Sequence, residues 1–246
     1  MRAILLAAGM GKRMAGLGQD VPKCLLPVGG EPFLVRLVRQ LLGRGVLDVT
    51  VVVGYREDPV RAAVEGAIGG RVRFLRNERY SEDVNIHSLA LALERDDSPF
   101  LVVESDIWID DARIGDLFDP RDEERSVWYT RGPFVPGQRG GVLLPDPEGR
   151  VLDLRIVQEW DESLARHRKL VGVTRVGPRE VADYRRLLLE ARDRSTRQYW
   201  LVPWIENLGR LECFDRDLGA SGACSTNTPE EYRDLVRRLD DGAHRG

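Results

Sequence analysis

The chain has 246 residues, 42% hydrophobic and 31% charged, enough to bury a full core without disulfides or structural metal. Its 37 basic and 40 acidic side chains leave a net charge of −3, which argues against a generic nucleic-acid coat protein. Three widely spaced cysteines (Cys24, Cys213, Cys224) argue against a disulfide framework or a zinc site. Of the 37 basic residues only Lys12, Lys23 and Lys169 are lysines, a bias that says little about chemistry. The N-terminal apolar run is broken early by Gly9, Gly11 and two charges. It is too short for a signal peptide or for a membrane span of about 20 residues, so the expected location is the cytoplasm, with no membrane partner.

In chain order, residues 2–7 read as a buried strand, followed by a glycine-rich stretch over 9–30 that Pro22 and Pro27 keep from being helical. Pro32 then opens a helix whose apolar residues Phe33, Leu34, Leu37, Val38, Leu41 and Leu42 recur at helical spacing, and Gly43 and Gly45 end it. Strands are expected over 48–53, 71–75 and 100–104, with helices over 59–67 and 86–93 between them. This alternation predicts an α/β fold: a Rossmann-like, doubly wound, mostly parallel sheet. The second half predicts a small mixed lobe, with strands over 126–130, 141–144, 151–157, 170–175 and 211–214, some antiparallel. The Gly-, Pro- and Arg-rich stretch 131–141 is expected to be a mobile loop. Helices are expected over 178–192 and 229–239, the latter with Thr228 at the N-cap and Glu231 three residues on, before a frayed tail from Asp240. The expected organisation is one domain over 1–246, in two halves, 1–110 and 111–246.

The segment LLAAGMGKRM, with Pro22-Lys23 beyond it, puts glycines and cations at the end of a strand. Backbone N–H groups approach phosphate closely where there is no Cβ, and Lys or Arg neutralises its charge. A Walker loop is absent, and a dinucleotide fingerprint would need a small residue where Met14 stands. At 103–106, VESD places Asp106 past the end of a strand, where open α/β sheets bind ligands and a hard carboxylate can hold Mg²⁺ against phosphate oxygens.

The order Gly9-x-Gly11-x-Arg13, then Pro22-Lys23, resembles the nucleotidyltransferase family that makes nucleotide-sugars and nucleotide-alcohols. Asn77–Tyr80, the segment DVNIHSL (83–89) and Tyr199-Trp200 make the pattern most similar to the choline-phosphate and phosphonate cytidylyltransferase branch. The resemblance implies an Mg²⁺-dependent enzyme that moves CMP from CTP to a small phospho-alcohol or phosphonate and releases pyrophosphate. It implies Arg13 and Lys23 as catalytic cations, and Ala8, Gly9, Gly11, Lys12, Asn85 and Ser88 on the nucleotide. Asp106 and Asn227 would hold the metal, and Trp108, Tyr129, Tyr199 and Trp200 would meet the acceptor, with an aromatic cage for an ammonium group. The Arg-rich loop over 131–139 could equally hold an anionic acceptor such as a phosphonate. On this reading residues 1–110 form a nucleotide-binding half and 111–246 an acceptor-binding half. The chain departs from the branch at Asn227, where an acid is usual, and at Val84, where a first Asn is usual.

Plainer readings stand beside these: Asp106 as a solvated acid near Asp110 and Asp111, Asn227 and Asn85 as helix caps, and the aromatic residues as core. The alternative activities are sugar-1-phosphate guanylyl-, uridylyl- or thymidylyltransfer, or a non-catalytic nucleotide-sensing module. The partners implied are an NTP and the acceptor, and a homodimer is compatible with the sequence.

Overall fold

The computed structural model describes residues 1–11, 14, 21–94 and 96–243. Strand β1 (Arg2–Ala7) is buried along its whole length, as a central parallel strand must be. Its side chains alternate between two cores. Ala3, Leu5 and Ala7 enter one cluster, while Ile4 and Leu6 enter the other on the opposite face of the sheet.

After β1 come a short hairpin, β2 (Pro27–Val28) and β3 (Glu31–Pro32), and helix α1 (Phe33–Gly43). Strand β4 (Asp48–Val53), helix α2 (Glu57–Ile68), strand β5 (Arg73–Arg76), helix α3 (Ile86–Leu93) and strand β6 (Phe100–Glu104) complete the alternation forecast from the sequence. Helices α1 and α2 cover the first core, with Leu34, Leu37, Val38, Val60 and Val64 buried in it. Helix α3 closes the second through Ile86, Leu89, Ala90 and Leu93.

Strands β4 and β6 flank β1 in parallel, and β5 lies beyond β4. The chain thus runs from β1 outward to β5 and then crosses to the other side of β1. The boundary between β1 and β6 is the topological switch point, and ligand crevices open there at the carboxyl ends of the strands.

Beyond β6 lie β7 (Ile107–Ile109), β8 (Val127–Pro133), β9 (Gly140–Pro145), β10 (Val151–Val157) and β11 (Arg168–Val176). Helices α4 (Val181–Arg194) and α5 (Val202–Glu206), strands β12 (Phe214–Asp217) and β13 (Ala223–Ser225), and helix α6 (Pro229–Ala243) follow. β11 pairs antiparallel with β6, β8 and β9, so the second half extends the same nine-stranded sheet.

Three expectations need correction. The loop expected over 131–141 is confined to 134–139: β8 runs to Pro133, β9 starts at Gly140, and the buried Phe134 donates its N–H to His167 O at 2.8 Å. The strand placed at 211–214 lies at Phe214–Asp217, because Leu211 and Cys213 are buried core residues that lead into it. The C-terminal helix continues through Ala243, past Asp240; residues 244–246 lie outside the described residues. Among the described residues no helix is long and apolar enough to cross a membrane.

Candidate active site

The switch point assembles residues from three places. From β1 the chain passes through Ala8, whose carbonyl accepts the Tyr55 N–H at 3.0 Å, to Gly9 and Gly11. Gly11 sits at φ +60°, and a Cβ there would come 3.2 Å from Lys23 Cβ, so the position calls for glycine on both counts. Lys12 and Arg13 lie outside the described residues. Pro22 opens a single turn over Lys23–Leu25, closed by Leu25 N–H to Pro22 O at 2.8 Å. The turn presents Lys23, whose Nζ forms an ion pair with Asp106 Oδ2. Two residues singled out far apart in sequence therefore meet.

Asp106 follows β6 and precedes β7. β7 pairs antiparallel with β13, Ile107 opposite Ser225, in a small ribbon separate from the main sheet. That register carries Thr226 to Asp106, where its N–H donates to the Asp106 carbonyl at 3.2 Å. Asn227 is next in the chain, and its Nδ2 donates to Ser225 Oγ at 3.3 Å. Behind it the expected capping box is present: Glu231 N–H donates to Thr228 Oγ1, and Thr228 N–H donates to Glu231 Oε2, both at 3.2 Å. Asp106 and Asn227 thus belong to one local unit, although 120 residues separate Asp106 from Thr226.

The polar groups expected on the nucleotide from α3 are engaged elsewhere. Asn85 accepts the Trp200 N–H at 2.9 Å and donates to Glu104 Oε1 at 3.3 Å, which ties the start of α3 to the chain at 200 and to the end of β6. Ser88 is buried, donates to Asp83 Oδ2 at 2.7 Å and accepts from Asn77 Nδ2 at 2.9 Å. The side-chain cap of α3 is Asp83, which receives the N–H groups of His87 and Ser88; Asn85 makes no such bond. Asn85, which is half-buried, and Ser88, which is buried, thus tie the start of α3 to the neighbouring chain.

The aromatic residues expected to meet the acceptor do not form a cage. Trp200 stacks on Trp128, centroids 5.0 Å apart and planes within 4°, and Trp204 abuts Trp128 edge-on. These rings fill the second core. Tyr129 is fully buried in the first core with its OH on Leu117 O at 3.3 Å, and Trp108 packs with Phe33, Cys224 and Leu235 in a third. Tyr199, 36% exposed, is the one of the four with its side chain at the surface. Large apolar area drove the others inward.

Three charged residues in and around the end of β6 were not among the expected site positions, although Arg131 lies in the Arg-rich stretch read as able to hold an anionic acceptor. Glu104, the last residue of β6, also accepts Trp200 Nε1–H at 3.3 Å. Burial first, then the charge of Asp106, pushes its carboxyl up to about 7. Its other oxygen lies against Gly172, where a Cβ would come within 2.6 Å, so the glycine at φ +81° lets β11 pass close to the carboxylate. Lys169 on β11 donates to Gly141 O at 3.3 Å and Leu170 O at 3.2 Å; burial pushes its amine down to about 8, with Glu104 opposing and Arg131 reinforcing the shift. Arg131 on β8 completes the group. A charged residue near the end of a buried strand, as at Glu104, was the available signal.

The chain is similar to the CMP-5'-(3-aminopropyl)phosphonate synthase of Streptomyces rubellomurinus, 34% identical over 160 residues, which are 62% of this chain and 24% of that protein. It is likewise 34% identical over 130 residues to the 2-aminoethylphosphonate cytidylyltransferase of Lancefieldella rimae, covering 52% of this chain and 50% of that one. The matches thus span about a quarter and half the length of these relatives. Among solved structures, the CTP:phosphocholine cytidylyltransferase of Streptococcus pneumoniae superposes with a TM-score of 0.81 at 22% identity, over 97% of this chain and 98% of that one, a likeness of fold. The family model for the MobA-like NTP transferase domain matches residues 3–172, from the start of β1 to the glycine of β11 beside Glu104. By that match over more than half its length, the chain belongs to the MobA-like NTP transferase family.

Proposed function

We propose that this chain is a cytidylyltransferase that moves CMP from CTP to a small phospho-alcohol or phosphonate and releases pyrophosphate. The observation that carries this reading is the meeting of Lys23 and Asp106 at the β1–β6 switch point, with Asn227 brought alongside by the β7–β13 ribbon. The names of the two relatives at 34% identity support the choice of CTP and of a phosphonate-type acceptor.

The acceptor's phosphate or phosphonate oxygen attacks the α-phosphorus in line; a new P–O bond forms as the bond to the β-phosphate oxygen breaks. That attacking oxygen is already ionised at neutral pH and needs no general base, so catalysis consists of alignment and charge neutralisation. Lys23 draws the two negative phosphorus groups together. Arg13, with Lys12, holds the departing pyrophosphate. Gly9 and Gly11 let the backbone come close to the nucleotide.

The donors fit Mg²⁺. Asp106 offers a hard carboxylate and Asn227 an amide oxygen, and Mg²⁺ is commonly held by one or two carboxylates together with substrate phosphates. Among the described residues there is no group of three or more His, Cys, Asp or Glu side chains arranged around a metal, so an ion bound here relies on substrate oxygens. When bound, it would neutralise charge on the triphosphate.

The test is pyrophosphate release with each of four NTPs against 2-aminoethylphosphonate, 2-hydroxyethylphosphonate, phosphocholine and glucose-1-phosphate, with and without EDTA. CTP with a phosphonate or phosphocholine is the expected pair, and EDTA should abolish turnover. Turnover of the sugar phosphate alone, or a preference for GTP or UTP, would overturn the base and acceptor. Nucleotide binding without any release would mark a sensing module.

A further inference from the structure

We propose that Arg131 and Lys169 form the subsite that binds the acceptor's phosphate or phosphonate group. The inference rests on the transferase reading above and assigns two residues that were not among the expected site positions.

Strands β8 and β11 pair antiparallel with Thr130 opposite Leu170 and, across a register shift, Pro133 opposite Arg168, so Arg131 and Lys169 lie on adjacent strands within this irregular stretch, and Arg131 acts electrostatically on Lys169. Two cations this close in a partly buried setting repel each other. The usual remedy is a carboxylate between them, and the structure does not supply one in contact. Among the described residues Arg131 makes no ion pair, and its Nε is buried without a hydrogen-bond partner. The Lys169 ammonium donates to two backbone carbonyls and forms no ion pair either. A buried guanidinium N–H left unsatisfied is costly, and a phosphate oxygen is a strong acceptor for it.

The pair also stands in the right place. Gly172 brings the β11 backbone against both Glu104 and Ile107, the residues that bracket Ser105-Asp106. Lys169 is within electrostatic reach of Glu104, as are Lys23 and Asp106. Arg131 acts electrostatically on Cys224 in β13, the strand that leads to Asn227. The two cations therefore border the Lys23–Asp106 contact from the second half of the sheet, across β6 from the β1 loop. In-line attack needs the acceptor and the leaving pyrophosphate on opposite sides of the α-phosphorus. Cations on the far side of β6 from Gly9 and Gly11 meet that demand.

The experiment compares wild type, Arg131→Gln, Arg131→Lys and Lys169→Met, each checked for folding by its thermal transition. Rates are measured with CTP and acceptor varied separately, and methylphosphonate binding is titrated calorimetrically. Arg131→Gln and Lys169→Met should each raise the acceptor KM about tenfold or more, leave the CTP KM within about twofold, and weaken methylphosphonate binding in parallel. Arg131→Lys should recover part of both. An equal rise in the two KM values would overturn the subsite by giving these cations to the nucleotide. If wild type transfers from no NTP, the transferase reading fails, and the methylphosphonate titration still decides the subsite. Binding by wild type that is lost in Arg131→Gln supports it, whereas equal binding by both or none by wild type refutes it.

Discussion

Replacing Asp106 by Asn keeps the side chain's shape and removes the charge that Lys23 faces. The two side chains are 17% and 12% exposed, so the pair is neither a wet surface contact nor a dry one. Exposed pairs contribute about 0–1 kcal/mol, and breaking a fully buried pair costs about 3–5 kcal/mol, which places Asp106→Asn at about 1–3 kcal/mol. A domain with ~5–15 kcal/mol of stability stays folded after that loss. The effect on turnover should be larger: a kcat about 10²–10³ lower, as for the loss of one preorganised electrostatic group. Adding Lys23→Met removes the stranded cation. Urea unfolding should then show the double variant recovering most of the lost stability, because residues in contact couple. Pyrophosphate release should stay at the level of the worse single variant. Stability losses that simply add would refute the pairing, and an Asp106→Asn enzyme at full rate would remove Asp106 from the machinery.

Gly11→Ala should cost about 1–2 kcal/mol for the left-handed backbone, with a further loss of kcat as the new methyl group presses on Lys23, measured by thermal unfolding and turnover. Thr228→Ala should cost about 1 kcal/mol by removing half of the capping box behind Asn227, and an unchanged urea midpoint would contradict it. Cys24, Cys213 and Cys224 are all free and buried; burial pushes the Cys24 thiol up to about 12 and the other two upward. None should react with a thiol reagent at pH 8 in the native protein, and all should react in guanidinium; native reactivity would show that the core opens.

What the sequence showed and what it hid follow from how far each signal reaches along the chain. Apolar strands alternating with amphipathic helices fixed the parallel half, because burial on both faces leaves a local pattern in β1 and β4. Gly11, Lys23 and Asp106, which the structure brings together, drew notice in the sequence because glycines and charges beyond the ends of strands suit phosphate. The β7–β13 ribbon was not legible: its three-residue strands have no measurable period, and more than a hundred residues separate them. A similar distance hid one partner of Asn85, whose amide oxygen accepts the Trp200 N–H. The aromatic residues misled for a physical reason. An indole suits a cation and a core equally well, and only the stack of Trp128 on Trp200 decides between them. Arg131 and Lys169 were invisible as a pair because the pairing of β8 with β11, not sequence spacing, brings them near each other.

The central claim, that this crevice joins CMP to a phosphorus-bearing acceptor, is tested most directly by ³¹P NMR of the protein with CTP, Mg²⁺ and 2-aminoethylphosphonate. The account predicts loss of the CTP signals, appearance of free pyrophosphate, and a coupled pair of resonances from a new P–O–P linkage between CMP and the phosphonate. CTP that remains intact with this acceptor, phosphocholine and 2-hydroxyethylphosphonate alike, or that is hydrolysed to CMP with no coupled product, would contradict it.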